Sequence, residues 1–142
     1  MTKTRKSISL VAVVLILIAL PMVAQITNPL TFKTTFPFYV GNAKMPAGEY
    51  RVSQPGLEEG LLLIESVSGS HSAFVEIDAS TTDQPHPQTD ITFNRYHNID
   101  FLNAVWVQGQ NSGMQVEPSK YEQSVAKTAT PEKHSVSVKN RN

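Results

Sequence analysis

The 142-residue chain contains no cysteine. This excludes a disulfide framework, a thiolate nucleophile and attachment through a lipidated cysteine. Clustered positive charge is also scarce. Gln25 to Val116 carries 4 basic and 9 acidic residues, and Glu117 to Asn142 carries 5 basic and 3 acidic. A net-acidic body argues against general nucleic-acid binding, which needs Lys and Arg gathered against phosphates. The basic end is too dilute for a polybasic membrane patch. Internal repeats are absent, and helix signals are confined to one short segment.

Long apolar runs are equally rare. Ile8 to Leu20 is broken only by Ser9, follows Lys3, Arg5 and Lys6, and ends at Pro21 ahead of a small residue, Ala24. Basic, apolar, then small is the layout of a secretory signal. The run is 13 residues, whereas a helix needs about 20 to span a bilayer. The expectation is a signal peptide over residues 1–24, cleaved after Ala24. The alternative is an inner-membrane anchor over residues 8–24. Export without cysteine reads as bacterial, periplasmic or secreted. The remaining 118 residues suffice for one core without staples.

Signatures of catalysis and metal binding are missing. His71, His86, His97 and His134 show no His-x-His, His-x-x-x-His or His-Glu-x-x-His spacing. His86 sits between prolines, His134 in the polar end, and His97 in a turn. A site of His71, His97 and Asp100 would have to be assembled by the fold. There is no Gly-x-Ser-x-Gly elbow, and Ser68-Gly69-Ser70-His71 reads as a hairpin turn rather than a Ser-His pair. Glu58-Glu59 and the acids Asp78, Asp83 and Asp90 read as solvated or turn-capping groups. No calcium loop is present. The expectation is no enzyme, no cofactor and no metal.

What the chain has in quantity is period two. Phe32, Thr34, Phe36, Phe38 and Val40 alternate with Lys33, Thr35, Pro37 and Tyr39. Pro37 cannot donate to a ladder, so this strand is expected at an edge or bulged. Gly41-Asn42 and Met45-Pro46-Ala47-Gly48 are turn signals. Glu49 to Ser53 turns Tyr50 and Val52 inward. Leu61 to Ser66 and Ser72 to Ala79 read as a hairpin, with Ala73, Val75 and Ile77 on one face and Phe74, Glu76 and Asp78 on the other. Ile91 to Tyr96 puts Ile91 and Phe93 on one face. Phe101 to Gln108 is expected to put Leu102, Ala104 and Trp106 together in the core. Ser119 with Glu122 forms a capping box opening a helix from Lys120 to Lys127 or Thr128, with Tyr121, Val125 and Ala126 to dock it. Residues 129–142 are expected to be a disordered tail.

The set "FPFYVGN", "MPAGEY", "GSHSAFV", "FNRY", "FLNAVW" and "SKYEQSVAK" resembles a family of small exported bacterial β-proteins found in soil acidobacteria. The likeness covers Phe36 to Lys127 and departs from the family pattern at Met45 and at His97-Asn98, where the family carries leucine and glycine-aspartate. The family has no assigned activity, so the resemblance implies export and fold and carries no catalytic residue. The shorter stretch "MPAGEYRV" is similar to a turn and strand of carboxypeptidase-regulatory-like and collagen-adhesin B-type sandwich domains, which are binding or spacer modules.

The expected fold is therefore all-β: one antiparallel barrel or two-sheet sandwich of six to eight strands over residues 25–128, with a short C-terminal helix. The expected role is an exported, non-enzymatic structural or interaction protein of the bacterial cell envelope. The alternative is a small barrel binding a lipid-like apolar ligand, and a minor hydrolase is the third reading. An envelope protein or an apolar ligand would be the partner. The membrane enters only through an uncleaved N-terminus. Tyr39 and Tyr96, aromatic with polar tips, are the candidate partner contacts.

Overall fold

The computed structural model describes residues 26–56 and 60–139. The expected signal segment, residues 1–24, and Glu58-Glu59 lie outside them. Ten strands follow the period-two pattern: β1 (Leu30–Thr34), β2 (Phe38–Val40), β3 (Ala43–Met45), β4 (Gly48–Ser53), β5 (Leu61–Ser66), β6 (Ser72–Thr81), β7 (Asp90–Tyr96), β8 (Ile99–Trp106), β9 (Ser112–Val116) and β10 (Glu132–Ser137). The helix α1 spans Lys120–Ala126, between β9 and β10.

Ten strands exceed the expected six to eight because the turn and tail segments also pair. Pro37 removes a ladder donor, and the chain divides around it. β1 pairs antiparallel with β4, while β2 pairs with β3 and, in parallel, with β8 through Tyr39 and Phe101. Pro37 thus marks a crossing between two parts of the sheet rather than an edge. Gly41, at φ +60, takes the first of the two loop positions joining β2 to β3, where a tight hairpin needs positive φ.

The strands form one sheet that is not closed, in the order β1-β4-β5-β6-β9-β8, with β7 and then β10 continuing from β8. β6 is the corner: Ser72–Glu76 pair with β5, and Ile77–Thr81 pair with β9. The sheet thereby folds over on itself as a sandwich, and its two ends, β1 and β10, approach each other. There the Lys139 N–H donates to the Thr31 carbonyl at 2.9 Å.

The inner face is aromatic. Phe38 lies 5.0–6.0 Å, ring centre to ring centre, from Phe32, Tyr50 and Phe93. Val52, Leu62, Ile64, Ile91, Leu102, Val105 and Met114 complete the core. Aromatic rings and branched aliphatic side chains make up most of this core, and together they bury enough apolar surface to order the strands without disulfides.

β8 departs from the expected alternation. Thr92 pairs with Ala104 and Phe93 with Leu102, so Asn103 is an extra, bulged residue. A bulge inverts every face beyond it. Leu102 and Val105 therefore both point into the core, while Trp106 lies on the opposite face. Its ring stacks on His86 at 5.2 Å and covers Gly113, where a Cβ would come within 2.5 Å of it. The expected core trio of Leu102, Ala104 and Trp106 is corrected accordingly.

The expected disordered tail is also corrected over Glu132–Ser137. This segment is β10, antiparallel to β7 with His134 opposite Phe93. A polar strand holds here because its ladder bonds are backbone bonds and because one side chain is anchored. His134 Nε2 is 2.6 Å from Asp100 Oδ1, and its ring stacks on Phe93 at 5.5 Å. Arg95 grips the other side of the buried Asp100 with Nε and Nη2, both at 3.0 Å, which raises the guanidinium pKa above its usual value.

Candidate interaction surface

The outer faces of the sheet differ sharply. Over β7 and β8 the face is covered by α1. Ser119 caps the helix by accepting the Glu122 N–H at 3.1 Å, as the capping box requires. The Glu122 carboxylate, however, turns inward and accepts from Asn94 Nδ2 at 3.1 Å and the Tyr96 hydroxyl at 3.2 Å. Of the expected docking residues Tyr121, Val125 and Ala126, Tyr121 meets the sheet, with its ring 5.4 Å from that of Phe101, and the polar anchor of Glu122, the buried residue of α1, is added to it. Burial raises the Glu122 carboxyl above its ordinary range, and the two donors pull it partly back. Asn103, on the bulge, accepts from Asn94 at 3.1 Å and Gln115 at 3.1 Å and donates to Thr92 at 3.1 Å.

Tyr96 is only 5 % exposed. Its expected role as a partner contact is therefore corrected: its polar tip is held by Glu122, and desolvation, then that carboxylate, raise its pKa. Tyr39 is half-buried on the outer face, stacked on Phe101 at 5.3 Å and meeting Tyr121 edge-on at 5.2 Å. It belongs to the seam between β2 and the helix, and only part of the ring reaches solvent.

Over β5 and β6 no helix covers the sheet among the described residues. Alternation puts Phe74, Glu76 and Asp78 outward from β6, and the β5 register sets Leu63 opposite Phe74 and Leu61 opposite Glu76. Phe74 is 62 % exposed, the most exposed of the large apolar residues. Arg51 and Glu65, 3.4 Å apart, border the patch on the β4 side. On the β9 side the Glu117 N–H donates to the Glu76 carbonyl at 3.3 Å. This brings a third carboxyl beside Glu76 and Asp78. The Asp78 charge, first, with desolvation and Glu76, pushes the Glu117 carboxyl above its ordinary range.

The histidines are dispersed. His71 is exposed, with Nδ1 3.0 Å from the Ser70 hydroxyl, which is 2.9 Å from that of Ser68. This chain runs along one exposed hairpin turn, and among the described residues no carboxylate orients His71 as triad chemistry requires. His86 Nε2 pairs with the buried Asp90 at 3.2 Å and fastens the 82–89 loop. His97 takes φ +55 in the two-residue turn between β7 and β8. Asp100 is occupied by Arg95 and His134, so His71, His97 and Asp100 do not assemble. Among the described residues no group of three His, Asp or Glu is arranged to hold a metal.

Two concavities accompany these faces. A groove of about 970 Å³ follows the seam between the sheet ends and is lined by Asn28, Pro29, Leu30, Arg51, Glu65 and Lys139, among others. A second, of about 500 Å³, lies between the Pro46–Tyr50 and Ser66–His71 turns. Both are open, and the charged groups of the first are paired, Arg51 with Glu65 and Lys139 with Glu49.

No protein-family model matches the chain, and no curated protein or solved structure matches it.

Phe74 escaped the sequence-based choice of contact residues. Its signal was present: an aromatic on the polar face of an alternating strand, flanked at two-residue steps by Glu76 and Asp78. Tyr39 and Tyr96 were favoured for their hydroxyl groups, and neither ring is as exposed as that of Phe74.

Proposed function

We propose that the protein is an exported, non-enzymatic interaction module of the bacterial cell envelope, delivered by residues 1–24 and contacting a partner through the outer face of β5 and β6. The observation that carries this reading is Phe74, 62 % exposed, with the half-buried Leu61 and Leu63 beside it on a face that no other element covers among the described residues. An exposed apolar patch framed by polar residues is the usual form of a protein-contact site. The resemblance in sequence to small exported bacterial β-proteins supports the same setting.

Competing readings have less support. A carrier of an apolar ligand needs an enclosed apolar site of roughly 300 Å³ or more, whereas among the described residues the centre is filled by Phe32, Phe38, Tyr50 and Phe93, and the two grooves described above are open, the larger one lined with charged side chains. A hydrolase needs a nucleophile, a base and an orienting group in mutual reach, and the Ser70–His71 pair lacks the third.

Native pull-down from envelope extract tests the interaction. A partner enriched by the exported chain and lost with Phe74→Ser is expected, whereas equal enrichment by both proteins contradicts the assigned face. N-terminal sequencing of exported protein tests delivery: a start at Gln25 is expected, and an intact N-terminus restores the membrane-anchored form.

A further inference from the structure

We infer that the Phe74 face recognises an extended, lysine- or arginine-bearing peptide segment of a partner protein. An apolar side chain of that segment would rest on Phe74 and Leu63, and its cations would meet Glu76, Asp78 and Glu117. This rests on the interaction reading above and names the partner's chemistry.

The first argument is spacing. A strand advances about 3.3 Å per residue, so Phe74, Glu76 and Asp78 form a ladder about 13 Å long with one apolar and two acidic rungs. An extended peptide has the same period, and residues at i, i+2 and i+4 that are apolar, basic and basic match it rung for rung. Glu117 widens the acidic end, since its backbone N–H is tied to the Glu76 carbonyl.

The second argument is charge. Among the described residues, Arg51, Arg95 and Lys139 pair with Glu65, Asp100 and Glu49. None of the ion pairs there reaches Glu76, Asp78 or Glu117, so three carboxylates crowd one end of the patch without a cation. The crowding is felt in the raised Glu117 pKa. An incoming ammonium or guanidinium relieves that repulsion and is attracted to the face of the exposed Phe74 ring as well.

The third argument separates a foreign segment from a second copy of this chain. A two-fold contact centred on Phe74 sets the acidic end of each copy against the Ser72 end of the other. The cation there, Arg51, already pairs with Glu65, so a second copy brings the three carboxylates no free positive charge.

The test uses the exported chain and two synthetic peptides, repeats of Leu-Ser-Lys-Ser-Lys and the same sequence with glutamate in place of lysine. Binding is followed by fluorescence anisotropy of labelled peptide at low and high salt. The lysine peptide is expected to bind at least about tenfold tighter than its twin, with affinity falling as salt rises. Phe74→Ser should weaken it about tenfold. The combined variant Glu76→Gln, Asp78→Asn, Glu117→Gln should erase the preference between twins and flatten the salt dependence. These substitutions lie on exposed residues, and circular dichroism verifies that each variant is folded. Equal binding of the twins, no binding at millimolar peptide, or unchanged binding by both variants overturns the inference. A pull-down partner that is lost with Phe74→Ser but retained by the carboxamide variant would keep the interaction reading and remove the cationic partner.

Discussion

The outer face over β7 and β8 and the outer face over β5 and β6 belong to one sheet, yet they end in opposite states. Over β7 and β8, α1 lies on the sheet through Glu122, Tyr96, Asn94 and Asn103. Over β5 and β6, Phe74 is exposed and Leu63 opposite it is half-buried, and among the described residues no helix lies over them. The covered face offers hydrogen-bond donors and the rings of Tyr39 and Phe101, and the helix meets both, through Glu122 and Tyr121. The bare face carries the exposed Phe74 ring beside carboxylates. The buried Tyr96 hydroxyl needs its acceptor, because a buried donor left unpaired costs more than one exposed ring.

That contrast is sharpest in paired substitutions. Phe38→Ala removes a ring from the packed interior and should lower unfolding stability by about 3–5 kcal/mol. Phe74→Ser should change it by less than about 0.5 kcal/mol. Denaturant unfolding of both variants reads the difference directly, and a large loss from Phe74→Ser would mean that this ring is structural after all.

On the covered face, Glu122→Ala leaves the Asn94 and Tyr96 donors without their acceptor and should cost about 1–3 kcal/mol. Glu122→Gln keeps an acceptor and removes the charge, so it also tests the pH dependence. In the unfolded chain Glu122 titrates near its ordinary value of 4.5, and in the fold burial holds it higher. Below the unfolded value the acid is protonated in both states and its contribution is intact. As pH rises through the folded value that contribution is lost, because the buried carboxylate must then be charged. The advantage of Glu122→Gln over the native protein should therefore grow between pH 4.5 and neutrality, as measured by unfolding midpoints across that range.

A small gain in stability is expected at the turn that joins the two covered strands. His97 holds φ +55, a region that costs a residue with a Cβ about 1–2 kcal/mol and costs glycine little. His97→Gly should raise stability by about 0.5–1 kcal/mol once the greater freedom of glycine in the unfolded chain is included. Thermal unfolding checks it.

How much of this was legible beforehand follows the same divide. The inward positions Phe32, Phe38, Tyr50, Val52, Ile91 and Phe93 could be read from alternation, whereas in the continuous apolar run Leu61–Ile64 only the pairing of β5 shows that Leu62 and Ile64 face inward. The start of α1 was visible in Ser119. The bulge at Asn103 was not, since nothing in the local sequence marks an extra residue, and one extra residue was enough to turn Trp106 to the other face. β10 was hidden because its sequence is polar and its anchor, the His134–Asp100 contact, joins residues 34 apart in the chain. The inward turn of Glu122 was missed for the same reason: its partners are on β7. As for the surface, the outward row of Phe74, Glu76 and Asp78 was readable, but the approach of Leu63 and Glu117 depends on how β6 pairs with its two neighbours.

Hydroxyl-radical footprinting of the exported chain, alone and with the lysine-bearing peptide, tests the difference between the two faces most directly. Phe74 should oxidise readily in the free protein while Tyr96 stays protected, and the peptide should shield Phe74 without changing Tyr96. Protection of Phe74 in the free protein, or oxidation of Phe74 unaffected by saturating peptide, would contradict the assignment of this face as the open binding surface.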